Sequence, residues 1–227
     1  MIPRMILVFD LDDTLYDESR FVESGFRAVA RFGTQQFGWD EQESLAQMMG
    51  TLAREGRGAV FDRWLAAHGK HGKALVAACV RTYRHHKPAL SLFPAAASLL
   101  PTLSARPLYL VTDGHKIVQA NKLEALGIAP LFRKCFITHR YGVRHAKPSP
   151  YCFELIRRRE KADWRQIAYI ADDPSKDFVG LNPLGAQTVR VLTGRHRNVV
   201  AKPGFEARHT IPDLSFFPAL LAEMERG

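Results

Sequence analysis

Cysteine is scarce: the 227-residue chain has three, Cys79, Cys135 and Cys152. An odd count without paired short spacing excludes a disulfide scaffold and a cysteine-based zinc site. It fits reduced thiols and a cytoplasmic setting. Long apolar runs are missing too, and no stretch is long and clean enough to span a bilayer. The apolar run 5–9 is too short for a secretory signal and meets acids at once. There is no internal repeat and no low-complexity tract. No helix-turn-helix pattern or aromatic-and-basic RNA-reading motif stands out. Acids are the minority charge, 23 Asp and Glu against 32 Lys and Arg, for a net charge of +9. That surplus suits an anionic partner without choosing among phosphorylated metabolites, nucleic acid and a membrane surface. A hydrophobic share of 46% is that of an ordinary globular protein, and the length suffices for a proper core.

The acids that are present are not spread evenly. In Ile6-Leu-Val-Phe-Asp-Leu-Asp-Asp-Thr14, four apolar residues run into Asp10, Asp12 and Asp13. Like charges at the end of a buried strand repel one another, so a cation or a chemical task must make the arrangement worthwhile.

Two textures divide the chain. Residues 5–9 read as a short, fully buried strand. From about 17 to 88 strand signals vanish and apolar residues recur at helical steps, as in Phe21, Val22, Phe26, Val29 and Ala30. About four helices are predicted there, with Gly33, Gly38, Gly56, Gly58, Gly69 and Gly72 near the breaks. After Pro88 strands and helices alternate. Strands are expected at 107–112, 134–138, 167–171 and 187–192. Helices are expected at 94–104, at 115–126 ending on Gly127, after Pro150, at about 175–184 and near 215–225. Such alternation means an α/β fold, a doubly wound parallel sheet with helices on both faces. The expected division is a core of residues 1–15 and 92–227 with an inserted helical domain, 16–91.

Ligands of such sheets bind beyond the carboxyl ends of the strands. Four ends carry polar groups: Asp10 and Asp12, then Thr112-Asp113-Gly114, then a loop reaching Lys147, then Asp172, Asp173 and Asp177. Clustered hard oxygens favour Mg²⁺, which offsets the repulsion among the aspartates. Thr112 and the amides of Asp113 and Gly114 offer donors to phosphate oxygens. Lys147 supplies positive charge, and a carboxylate can accept a phosphoryl group.

These residues resemble the haloacid dehalogenase (HAD) superfamily, on the phosphatase branch with a helical cap inserted after the first strand. The marks are Asp10-Leu-Asp12-Asp13-Thr14, Thr112-Asp113-Gly114, Lys147 in Lys-Pro-Ser-Pro, and Asp172-Asp173-Pro-Ser-Lys-Asp177, in order over nearly the whole chain. The resemblance implies a Rossmann-like core and a Mg²⁺-dependent phosphatase acting on a small phosphorylated metabolite, as a monomer or homodimer. It implies Asp10 as nucleophile and Asp12 as the acid that protonates the leaving alcohol. Thr112, Asp113, Gly114 and Lys147 would bind phosphate. Asp10, the Asp12 carbonyl and Asp172 would hold the metal, with Asp173 and Asp177 close by. Two positions depart from the pattern. Ala171 stands where glycine is frequent. Asp113 stands where asparagine is common, and its carboxylate would repel phosphate. A phosphomutase with the same residues is the rival within enzymes, and a quiet anion- or nucleic-acid-binding module the rival outside them. Dehalogenation is disfavoured because Asp12 is present.

The remaining candidates have plainer readings. His85-His86, Arg157-Arg158-Arg159 and Arg195-His196-Arg197 read as basic surface, as do Arg54 and Arg57. Trp39 and Trp64 read as core of the insertion.

Overall fold

The structure is a computed structural model that describes residues 5–226; residues 1–4 and 227 of the expected core lie outside them. The chain divides into two compact units. One holds the chain up to Glu18 and from Ser91 onward, and the other is Ser19–Leu90.

The first unit is built on β1 (Ile6–Phe9), β2 (Leu108–Thr112), β3 (Lys134–Ile137), β4 (Ile167–Ala171), β5 (Gln187–Val191) and β6 (His209–Ile211). They form one sheet in the order β3-β2-β1-β4-β5-β6. Every pairing is parallel: Leu7 sits beside Leu108 and Ala168, and Ala171 beside Arg190. β1 is therefore central, and successive crossovers lead first to one edge and then to the other. The ends of β1, β2 and β4 meet at this switch of direction, where such sheets open a crevice.

β1, β2 and β4 are buried along their whole length, which explains their unbroken apolar sequences. Ile6, Val8, Tyr109, Val111, Tyr169 and Ala171 share one cluster with Phe153, Ile156 and Phe178. Alternate residues turn to the other face, where Phe9 meets Phe217 edge-on at 5.9 Å.

In the second unit α1 (Glu18–Phe37, its first residue lent by the other unit), α2 (Glu41–Glu55), α3 (Val60–Ala67) and α4 (Lys73–His85) follow one another. Asp40 caps α2 by accepting from the Glu43 amide at 2.7 Å. Val22, Phe26, Val29, Met48, Trp64 and Cys79 form the core of this unit. Gly33 does not break a helix. It lies inside α1, where an added Cβ would stand 2.8 Å from the Trp64 ring.

The later helices are α5 (Pro94–Thr102), α6 (Lys116–Leu126), α7 (Tyr151–Glu160) and α8 (Phe217–Met224). α6 ends on Gly127 in the left-handed conformation, as its sequence predicts. The helix expected at about 175–184 is absent. Turns and a short 3-10 segment, Asn182–Leu184, take its place. Pro174 and Pro183 interrupt the run, and Gly180 approaches the Pro148 carbonyl so closely that a Cβ would lie 1.9 Å from it.

Candidate active site

β1 leaves the sheet still tied to β4, since the Asp10 amide donates to the Ile170 carbonyl at 2.9 Å. The chain then turns sharply, with Asp13 at φ 55°, a conformation aspartate tolerates better than most residues. Leu15 N closes the turn on Leu11 O at 3.0 Å. Asp10 and Asp12 thus stand on a single tight loop, and so does Asp13. The Asp13 carboxylate accepts from the Glu18 amide at 3.0 Å, capping the start of α1.

Lys147 comes from the loop after β3. Its Nζ donates to Asp10 Oδ1 at 2.8 Å and to the Tyr169 hydroxyl at 2.8 Å, and lies 2.7 Å from Asp177 Oδ1. Burial alone would pull this lysine down, but Asp10 and Asp177 outweigh it and hold Lys147 well above its ordinary value. For Asp10 burial wins over Lys147, and its carboxyl is pushed well above the usual range. Asp172, at the end of β4, is pushed up to about 6 by burial, against a bond from His196 Nδ1 at 2.7 Å. His196 is raised in turn by that bond.

The structure brings some predicted residues together and keeps others apart. Asp10, Asp172 and Asp177 offer ligand atoms within 4.8 Å of one another, all buried; Asp13, Asp172 and His196 form a second such group. Asp12 and Asp173 belong to neither group. Asp173 Oδ1 accepts from the Ser175 amide at 2.9 Å and the Ser175 hydroxyl at 2.6 Å. Burial works against Asp173, yet these two bonds hold it below its ordinary value. Asp113 is likewise tied up by donors within the chain. It accepts from the Thr138 hydroxyl at 2.6 Å and the Lys147 amide at 3.1 Å, so it anchors the loop that carries Lys147. Gly114 has φ 137°, where side chains are strained.

Thr112 is fully buried, and its Oγ1 accepts from Gln119 Nε2 at 2.6 Å. Gln119 and Lys122, one turn apart on α6, are not singled out by sequence reasoning. Gln119 Nε2 also donates to Asp12 Oδ2 at 2.8 Å, and Lys122 Nζ to Asp12 Oδ1 at 2.6 Å. Their only sequence signal is that both are polar yet fall beside Leu123 on the buried side of α6. His196 departs from the surface reading; Arg195 does not, for its side chain stays half exposed. Arg195 pairs with Glu18 at 3.0 Å, and His196 with Asp172.

Carboxylates gathered at the switch point of a doubly wound parallel sheet place the chain among α/β enzymes that work at their strand ends. Residues 5–185 match the haloacid dehalogenase-like hydrolases, and the chain belongs to that family. It is 32% identical over 200 residues to the glyceraldehyde 3-phosphate phosphatase of Methanocaldococcus jannaschii, spanning 85% of this chain and 87% of that one. It is 30% identical to the glyceraldehyde 3-phosphate phosphatase of Methanopyrus kandleri, spanning 85% and 86%. Among solved structures it resembles the HAD-hydrolase YfnB of Bacillus subtilis bound to magnesium. There the TM-score is 0.67 at 19% identity, over 96% of this chain and 99% of that one. A HAD family hydrolase from Deinococcus radiodurans with bound phosphate and sodium gives a TM-score of 0.67 at 16% identity, over 99% and 97%. These two likenesses concern the fold. No helix among the described residues is long and apolar enough to cross a membrane.

Proposed function

We propose that this protein is a Mg²⁺-dependent phosphatase of small phosphomonoesters, with a three-carbon sugar phosphate of the glyceraldehyde 3-phosphate kind as first candidate. The observation that carries the reading is the loop after β1. There Asp10 is held by Lys147, and a second acid, Asp12, lies two residues on. A phosphatase needs both a nucleophile and a proton donor for an alkoxide; an enzyme that expels halide needs no such donor. The relatives named as phosphatases support the choice of substrate class.

Three buried carboxylates, Asp10, Asp172 and Asp177, offer ligand atoms within 4.8 Å of one another, and burial pushes Asp10 and Asp172 up, which suits a hard divalent cation. Asp10, Asp172 and the Asp12 carbonyl are the proposed ligands, with Asp177 and Asp173 in support. Bound there, Mg²⁺ would neutralise phosphate charge and orient the ester.

The chain's own residues do the rest. An Asp10 carboxylate oxygen attacks phosphorus as the bond to the leaving oxygen breaks, giving an aspartyl-phosphate. Asp12 gives its proton to the departing alkoxide. It then takes one from the water that attacks phosphorus, releasing inorganic phosphate and restoring Asp10. Thr112, Lys147 and the amides of Asp113 and Gly114 bind the phosphoryl oxygens. The helical unit Ser19–Leu90 is proposed as a cap that selects the leaving group.

Phosphate release from a panel of sugar phosphates, nucleoside monophosphates and short phosphorylated acids tests this. Release should require Mg²⁺, stop with EDTA and vanish in Asp10→Asn. Interconversion of phosphorylated isomers without release would replace the hydrolase reading with a mutase.

A further inference from the structure

Asp12 is fastened from one side by α6. Lys122 Nζ reaches Oδ1 at 2.6 Å and Gln119 Nε2 reaches Oδ2 at 2.8 Å, so each carboxylate oxygen has its own donor. The Tyr16 hydroxyl adds a third bond, to Oδ1 at 2.6 Å. Lys122 is only 2% exposed. A cation so buried is costly unless paired, and its partners include Asp12 and, at 3.2 Å, Glu18.

The Gln119 amide also bridges. One hydrogen of Nε2 goes to Asp12 and the other to Thr112 Oγ1 at 2.6 Å. The opposite flip of this amide would set its carbonyl against the Asp12 carboxylate, so the orientation is fixed. Because Thr112 accepts from Gln119, its own hydroxyl hydrogen is left to donate elsewhere. One helix turn thus ties the proton-carrying acid to the hydroxyl at the end of β2.

We propose that Lys122 and Gln119 are positioning residues: Lys122 holds Asp12 for proton transfer to the leaving oxygen, and Gln119 sets Asp12 and the Thr112 hydroxyl together. The inference rests on the phosphatase reading. As the bond from phosphorus to the leaving oxygen breaks, its electron pair stays on that oxygen, which takes the Asp12 proton. A misplaced Asp12 slows this step for an alkoxide. It matters little for a p-nitrophenolate, which leaves without a proton.

The test compares kcat/KM for glyceraldehyde 3-phosphate and for p-nitrophenyl phosphate, with wild type, Asp12→Asn, Lys122→Met and the double variant. This parameter reports events up to departure of the leaving group, so hydrolysis of the aspartyl-phosphate does not enter it. Lys122→Met should lower the value for the alkyl ester about 100-fold, the usual size of a general-acid contribution. The aryl ester should lose roughly three-fold or less. In the double variant, Lys122→Met should add nothing to the alkyl loss of Asp12→Asn, because the two act as a unit. Gln119→Met should lower both esters, the alkyl one more, because it also touches Thr112. If Lys122→Met fails to fold, as thermal unfolding will tell, the same cycle with Gln119→Met decides. Equal losses on both esters, no loss on either, or additive losses with Asp12→Asn would overturn the positioning role while wild-type hydrolysis stands. A wild type that cleaves neither ester, under conditions where it binds Mg²⁺, overturns the phosphatase reading and this inference with it.

Discussion

The two units of this chain treat polar side chains in opposite ways. The α/β unit buries Asp10, Asp13, Thr14, Glu18, Thr112, Gln119, Lys122, Lys147, Asp172 and Asp177, and nearly all are bonded to one another. The helical unit buries aromatic and aliphatic side chains; its fully buried polar residues are Ser44 and Thr51. Paired charges demand one geometry, since a partner removed leaves its mate stranded at a cost of about 3–5 kcal/mol. An apolar core tolerates exchange as long as volume and pattern are kept. One unit is therefore constrained residue by residue, while the other can change its surface over a tolerant core. That division suits the proposed roles of the two units, fixed chemistry in one and selection of the leaving group in the other.

The sharpest way to break the contrast is Asp10→Asn. It keeps the shape and removes the proposed nucleophile. We expect turnover to fall by more than about 10⁴-fold, with a normal circular dichroism spectrum. Activity near the wild-type level would mean that the ordered polar groups serve the fold rather than the reaction.

The helical unit should answer to volume instead. Trp64 is 1% exposed and stacks edge-on against Trp39 at 5.1 Å. Trp64→Ala should cost about 3–5 kcal/mol, seen as a lower midpoint in urea. Its Nε1 finds no partner, so Trp64→Phe should cost much less. Equal losses from the two substitutions would show that the indole nitrogen matters and that this core is not governed by volume.

How much of this was legible follows from the range of the signals. β4 is read to the residue because a buried parallel strand is a local pattern, and the Asp10-Leu-Asp12 loop follows from the end of β1. Lys122 is not legible. A lysine in an amphipathic helix reads as surface until the acid it pairs with, 110 residues earlier, is known to lie beside it. His196 fails for the same reason: within Arg195-His196-Arg197 nothing local points to Asp172. β6, three residues long, carries too little pattern to be seen. The lost helix after Asp173 is different, for Pro174, Gly180 and Pro183 spell out the interruption.

Titration should separate the units next. Without divalent cation, Asp172 stands at about 6, above its unfolded value, because of burial. Protonation then favours the folded state, so stability rises as pH falls from about 6 toward the unfolded value near 4. His196 is also raised, by its bond to Asp172, and adds stability below its unfolded pKa that is lost as pH rises through its folded one. Both push the same way. In EDTA the protein should gain on the order of 1–3 kcal/mol between pH 7.5 and 5, measured by chemical denaturation. Mg²⁺ should stabilise more at pH 7.5 than at pH 5, since it favours the ionised carboxylates. A cation effect independent of pH would argue against a carboxylate site.

The smallest effect sharpens the contrast from the helical side. Gly33 lies within α1, where alanine would ordinarily gain about 1 kcal/mol over glycine in helix propensity. Its Cβ would meet two atoms of the Trp64 ring at 2.8 Å and Trp39 at 3.1 Å. Two rigid rings packed edge to face cannot both withdraw, and overpacking of this kind costs about 1–3 kcal/mol. The clash should win by a small margin, so Gly33→Ala should lower the urea midpoint slightly. In a Trp64→Leu background the tightest contact is gone and the Trp39 ring, at 3.1 Å, has room to give way, so propensity should prevail and the same change should raise the midpoint. The reversal of sign is the measurement. A glycine that is merely a helix weak point would be improved by alanine in both backgrounds, and the close approach of α1 to Trp64 would then carry no weight in this core.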